Sequence, residues 1–228
     1  MILYVNGDSH SAGAEAVNSY CFANDDPLYW SLGRIPHPDN EKVSYGCELA
    51  NELGAVFHCD AESASSNDRI IRVTREYLKE YTPDAIVIGW TSWEREEWLH
   101  DGTYWQVNAA PHGNDWPKEI QDRHRQWVLD VDYNQKRNEW HERIWQFHNE
   151  LKDMPHLFFN TFSSFIRTPV VDWGNNYVAP YDDSLTYRNW LLSQGFNTVS
   201  PTSYHFGADA HRKWAQFLLP HLTNVLKK

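Results

Sequence analysis

Two short runs of unbroken apolar residues, Ile2-Leu3-Tyr4-Val5 and Ala85-Ile86-Val87-Ile88, most restrict what this chain can fold into. Neither alternates as a strand with one wet face does, and both are too short for a buried helix. Each fits a strand covered on both sides, as in a parallel sheet. Parallel neighbours need long crossover connections, usually helices. The intervening stretches supply them. Tyr45, Leu49 and Leu53 recur at helical spacing within 43–53, ahead of Gly54. Ile70, Val73, Tyr77 and Leu78 open a second stripe. Trp140, Ile144, Phe147 and Leu151 mark a third within 134–151, and Trp214, Phe217, Leu218, Leu222 and Val225 a terminal one. A further helix is expected over 185–193, and 55–58 and 157–159 read as the remaining strands. The alternation predicts a three-layer α/β/α sandwich around a parallel sheet of four to five strands, flavodoxin-like, in one domain spanning 1–228.

The 228 residues carry 20 Lys and Arg against 31 Asp and Glu, a net charge of -11 that repels nucleic acid. Cys21, Cys47 and Cys59 are odd in number and widely spaced, which argues against a disulfide framework or zinc site and fits a reducing compartment. No run approaches membrane-spanning length and no signal peptide is visible, so a cytoplasmic protein without membrane partner is expected. Twelve tryptophans leave two uses open, core packing or stacking on a sugar or partner.

Chemistry concentrates where the first strand ends, at Gly7-Asp8-Ser9. Open α/β sheets bind ligands at that edge, although Gly-Asp-Ser is also a good turn on its own. Near the other end, Ser203-Tyr204-His205-Phe206-Gly207 places a histidine in a loop just before the terminal helix, a suitable mount for a general base. His211, one turn into that helix, reads as structural.

In these two stretches the chain resembles the SGNH (GDSL) hydrolases. The resemblance implies Ser9 as nucleophile, His205 as base and Asp8 as a further catalytic residue, with the Ser9 main-chain N–H in the oxyanion hole. The second family block places Ala64 or Ser65 where the family has glycine, with Asn67 close by. The third matches at Gly89 but has Thr91 and Ser92 for Asn and Asp, so Thr91, Ser92 or Asn67 is expected to supply the remaining donor. The acid usually found three residues before the histidine is Thr202 here. The orienting partner of His205 is therefore left among a main-chain carbonyl, Thr202, Asp209, Asp182 and Asp183. The expected function is a serine esterase acting through an acyl-enzyme on a small-molecule or carbohydrate ester, such as an O-acetylated sugar, with no cofactor or metal. The rival is a weak or inactive relative that binds a glycan or protein. The loops also resemble those of phage-encoded members, for which a virion-associated location is expected.

A tryptophan-rich insertion is expected at about 94–133, with no strong period over 99–129. Asp130-Val131-Asp132-Tyr133-Asn134 imitates a calcium loop but has Gln135 at the glycine position and His141 at the glutamate position. His141 and His148 share a helical face at a spacing that suits boundary histidines better than a metal pair.

Overall fold

A computed structural model describes residues 1–27, 33–110 and 116–227. In chain order the elements are β1 (Ile2–Asn6), α1 (Pro38–Glu41), α2 (Tyr45–Leu53), β2 (Val56–Cys59), α3 (Asn67–Glu80), β3 (Ala85–Trp90) and β4 (Glu96–His100). They continue with β5 (Thr103–Val107), α4 (Lys118–Asp130), α5 (Tyr133–Glu150), β6 (His156–Asn160), a 3-10 turn at Asp183–Leu185, α6 (Tyr187–Ser193) and α7 (Ala208–Leu226). Parts of the expected 14–42 loop (28–32) and of the tryptophan-rich stretch (111–115) lie outside the described residues.

Strands β2, β1, β3 and β6 form one sheet in that order, all parallel. With four strands this is the flavodoxin-like order, and the winding reverses between β1 and β3, the edge at which such sheets bind ligands. Alternate side chains of each strand face opposite layers. Leu3, Val5, Val87, Leu157 and Phe159 pack with Leu49 of α2 and Trp214, Leu218 and Leu222 of α7. Tyr4, Ile86, Ile88 and Phe158 pack with Ile70 of α3 and Trp140, Ile144 and Phe147 of α5. Every residue of β3 and β6 is buried, which is why β3 and the middle of β6, Leu157 to Phe159, read as apolar runs.

Helix ends follow their local chemistry. Ser44 accepts from the Cys47 N–H at the start of α2, and Gly54 closes that helix at φ 61°. Ser66 caps α3 by accepting from the Arg69 N–H. The calcium-like Asp132 caps α5, accepting from the Asn134 and Gln135 N–H groups.

The stretch expected to lack regular structure is instead a hairpin followed by a helix. Strands β4 and β5 are antiparallel, and Asp101 and Gly102 both take positive φ between the paired His100 and Thr103. Asp-Gly between two strands is a strong hairpin signal; the high Trp content and irregular polarity around it hid the alternation. Trp98, Val107 and Ile120 form a small core of their own under Trp105, Trp116 and Trp127. Trp90, Trp93, Trp140, Trp173 and Trp214 are also buried, so tryptophan serves packing through much of this fold. Among the described residues no helix is long and apolar enough to cross a membrane.

Candidate active site

The chain after β1 folds into a tight, buried turn. The Ala12 N–H donates to the Asp8 carbonyl at 3.0 Å and the Ala14 N–H to the Ser9 carbonyl at 2.9 Å. Gly13, at φ 71°, lets the turn press against α1, since a Cβ there would lie 2.5 Å from the Asn40 carbonyl oxygen. Asn40 then pins the outgoing chain, accepting from the Val17 and Asn18 N–H groups and donating to the Asn18 and Tyr20 carbonyls.

At the other end, the Val199 N–H donates to the His205 carbonyl and fully buried Phe206 anchors the loop. The Ala208 N–H reaches the Ala16 carbonyl at 3.2 Å, tying the start of α7 directly to the first turn. That tie brings two segments 196 residues apart into contact: His205 Nε2 lies 2.8 Å from Ser9 Oγ.

His205 Nδ1 lies 2.5 Å from Glu15 Oε2, and the Ser203 hydroxyl donates to that same oxygen at 2.5 Å while accepting from the His205 N–H at 3.0 Å. Glu15 was not among the expected partners. It reaches the ring from six residues beyond Ser9 because its backbone is left-handed, φ 60°, turning the side chain back across the loop. The only local signal is that it is the first acid after the Ser9 turn. The expected partners are occupied elsewhere. Asp209 is exposed and pairs with Arg212; Thr202 faces Ser200 on the surface. Asp182 caps the 3-10 turn, and Asp183 accepts from the Ser164 N–H and the Asn189 amide.

Asp8 is fully buried and does not touch Ser9 Oγ or the His205 ring. Its Oδ1 accepts from the His10 N–H (3.0 Å) and faces His10 Nδ1 (3.2 Å); its Oδ2 accepts from Thr91 Oγ1 (2.7 Å) and Arg95 Nη1 (3.2 Å). Burial by itself raises a carboxyl pKa, yet the His10 and Arg95 charges and these hydrogen bonds overcome it and hold Asp8 well below the usual carboxylate range. His10 also directs Nε2 at the Tyr204 carbonyl, 3.1 Å away. The ring thus has a carboxylate at one nitrogen and a carbonyl at the other. Its centroid lies 5.0 Å from that of His205. Burial and then the His10 charge push the His205 imidazole below the ordinary histidine pKa, against the opposite pull of Glu15.

The expected oxyanion donors separate. Asn67 does not reach the cleft, because its amide is used in clamping Thr91, accepting from the Thr91 N–H at 2.9 Å and donating to the Thr91 carbonyl at 3.3 Å. Thr91 in turn gives its hydroxyl to Asp8, and Ser92 gives its own to Glu94. The Ser65 N–H donates to the Glu62 carbonyl. Ala64 differs: it lines the cavity at φ 61°, the left-handed conformation that glycine adopts without strain, and its N–H and that of Ser9 donate to no acceptor among the described residues. The cavity holds about 680 Å³ and is lined by Ser9, His205, Ala64, Phe22, Phe162 and Tyr204, among others. None of the described tryptophans lines it.

Glu15, Cys21 and His205 offer ligand atoms within 4.8 Å of one another, a set that could hold a metal ion. In the structure Glu15 and His205 are bonded to each other, and burial, then the Glu15 charge, raises the Cys21 thiol to about 11. All three cysteines are free. His141 Nε2 meets the Tyr181 hydroxyl and His148 Nδ1 meets His156 Nε2, so the two histidines have separate partners. Buried His211 accepts from the Tyr45 N–H.

A four-stranded, flavodoxin-like α/β fold with a serine, a histidine and a glutamate hydrogen-bonded in series at the switch point of its sheet is the class that fold and site define. The chain belongs to the family of unknown function DUF6071, whose model matches residues 37–179. That span contains Ala64 and Arg95; Ser9, Glu15 and His205 lie outside it. No curated protein matches by sequence. Among solved structures, the chain is similar to an acetyl xylan esterase from the rumen bacterium Butyrivibrio proteoclasticus (13% identity, 99% of this chain and 64% of that one, TM-score 0.45). It is also similar to a Corynascus thermopiles (Myceliophthora fergusii) carbohydrate esterase family 2 enzyme with a carbohydrate binding domain (16%, 99% and 66%, 0.48). A third is a carbohydrate esterase whose active site is described as having divergent catalytic and non-catalytic binding functions (16%, 98% and 66%, 0.44). The chain spans just under two thirds of the length of each.

Proposed function

We propose that the protein is a serine ester hydrolase of the SGNH type, with Ser9, His205 and Glu15 as its triad. The observation that carries this reading is the series Ser9 Oγ to His205 Nε2 to Glu15, at 2.8 and 2.5 Å. In acylation, Ser9 Oγ bonds to the ester carbonyl carbon as its proton passes to His205 Nε2. The alkoxide then leaves with that proton. In deacylation His205 takes a proton from water, hydroxide attacks the acyl-serine, and the acid is released with Ser9 reprotonated. The Ser9 and Ala64 N–H groups are the donors to the oxyanion, and Glu15 steadies the imidazolium formed in each half. Because burial and His10 lower the His205 pKa, the ring is a neutral base at neutral pH.

The cavity is larger than an acetyl group needs and falls within the usual range of ligand pockets, about 300–1,000 Å³. Phe22, Phe162 and Tyr204 line it, and aromatic side chains in a cavity wall suit an O-acylated carbohydrate. A second reading, a slow or inactive relative that binds a glycan, draws on one observation: the expected side-chain donors Asn67, Thr91 and Ser92 are all committed elsewhere, and one oxyanion donor is worth about 100-fold or more in rate. Turnover of p-nitrophenyl acetate separates the two. The hydrolase reading expects an acyl-enzyme burst or steady turnover that Ser9→Ala reduces by about 1,000-fold or more; turnover that is absent, or indifferent to the substitution, refutes it.

A further inference from the structure

Two arginines line the cavity, and only one of them is neutralised. Arg95 donates to Asp8, to Thr91 Oγ1 and to the Ser65 carbonyl, so its charge is compensated inside the protein. Arg188 makes no ion pair and its guanidinium no hydrogen bond with any described residue, while its Nε is sealed from solvent without an acceptor. The cavity's own carboxylate, Glu94, accepts the Ser92 hydroxyl and does not pair with Arg188. An uncompensated guanidinium is conspicuous in a chain of net charge -11, where most other arginines have an acid or an aromatic ring against them.

Arg188 is also firmly mounted. Its N–H donates to the Thr161 carbonyl at 3.1 Å, on the segment that supplies Phe162 and Ser163 to the cavity wall. The preceding Tyr187 is buried and packs edge-on against His10, with centroids 5.4 Å apart. The backbone of Arg188 is thus held to the same core as the Ser9 turn. A guanidinium with no acceptor among the described residues, on a residue that lines a cavity also containing a nucleophile and its base, is complementary to a planar anion.

Resting on the hydrolase reading, we infer that the substrate is an ester whose alcohol part bears a carboxylate, and that Arg188 is the residue that selects it. The matched probes are the acetate esters of 3- and 4-hydroxybenzoate, the 4-hydroxybenzamide ester as neutral isostere, and the 4-hydroxybenzenesulfonate ester. Acetate release gives kcat/KM for each. The native protein is expected to prefer at least one carboxylate ester over the benzamide ester by about 10- to 100-fold, carried by KM, because hydrogen bonds to a charged group supply that much. The ratio of charged to neutral ester, read within each variant, is expected to collapse towards one in Arg188→Gln and to survive in part in Arg188→Lys. Added salt is expected to lower it.

A ratio near one in the native protein, a preference unchanged in Arg188→Gln, or stronger selection of the sulfonate overturns the assignment. Calorimetric binding of 4-acetoxybenzoate to Ser9→Ala, compared with Ser9→Ala/Arg188→Gln, keeps the test independent of catalysis. Binding lost only in the double variant supports the site even if no ester is turned over, whereas equal binding by both refutes it. Turnover of the benzamide ester that depends on Ser9, with no charge preference, sinks the carboxylate assignment and leaves the hydrolase reading standing.

Discussion

Replacing Glu15 with Gln removes one charge from the proposed triad and almost nothing else, since the two side chains match in shape and the left-handed backbone at φ 60° is retained. A carboxylate-to-amide change at the acid of a serine triad can cost about 10,000-fold when the amide N–H2 turns toward the imidazole and stabilises the wrong tautomer. Here a second group decides which way the amide points. The Ser203 hydroxyl accepts from the His205 N–H, so its own proton goes to Glu15 Oε2, the same oxygen that faces His205 Nδ1. Two donors converge on that position, and a glutamine satisfies both only with its oxygen there. The productive tautomer survives, and the loss reduces to the difference between a charged and a neutral acceptor, about 1–2 kcal/mol, with some further cost in holding the imidazolium. The expected fall in kcat/KM for p-nitrophenyl acetate is therefore about 10- to 100-fold. Adding Ser203→Ala frees the amide to turn, and the loss then grows to about 1,000-fold or more, well beyond the product of the single effects.

The pH profile supplies the sign. Glu15 pulls the His205 pKa up against burial and His10, so its removal lowers that pKa further, and the acid limb of kcat/KM moves to lower pH. A limb that stays in place or moves up, or a single-variant loss as deep as that of Ser9→Ala, would refute the assignment of Glu15 as the partner of His205.

Asp8→Asn leaves partly buried Arg95 without its counter-charge and removes the carboxylate that faces His10 Nδ1. A loss of about 3–5 kcal/mol follows, seen as a fall in Tm of about 6–20 °C; a change under about 2 °C contradicts the network. Because the native Asp8 carboxyl titrates below its unfolded value of about 3.9, its contribution is complete above that pH and declines as pH falls. The gap between wild type and variant should therefore narrow in acid, which denaturant titration at two pH values measures. Ala64→Gly relieves a left-handed residue at a cost of about 1–2 kcal/mol, offset in part by the roughly 0.4–1 kcal/mol of extra freedom glycine has when unfolded. A Tm rise of about 1–4 °C is expected, with activity within a few-fold of wild type because the proposed donor is the main-chain N–H; a fall in Tm argues against strain at Ala64.

The layered scaffold is written in local pattern. Strands buried on both faces have to be apolar throughout, and helices that cover them have to carry a stripe, so β1, β3 and most of the helices are readable without coordinates. Where a small core is built from scattered tryptophans and a polar hairpin, as in β4, β5 and α4, that pattern fades even though Asp101-Gly102 marks the turn. Ser9 and His205 could be singled out because each stands at an element boundary. Glu15, Ser203 and the partners of Asp8 could not, since spacing does not reveal which acceptor a side chain will find once distant loops converge. One left-handed residue at position 15 and one hydrogen bond from Ala208 to Ala16 bring the acid to the imidazole, while Asn67, Thr91, Thr202 and Asp209 are drawn to other partners. Sequence alone determined which surfaces had to be covered. Only the tertiary structure decided which polar groups would meet, because each hydrogen bond depends on two chain segments at once.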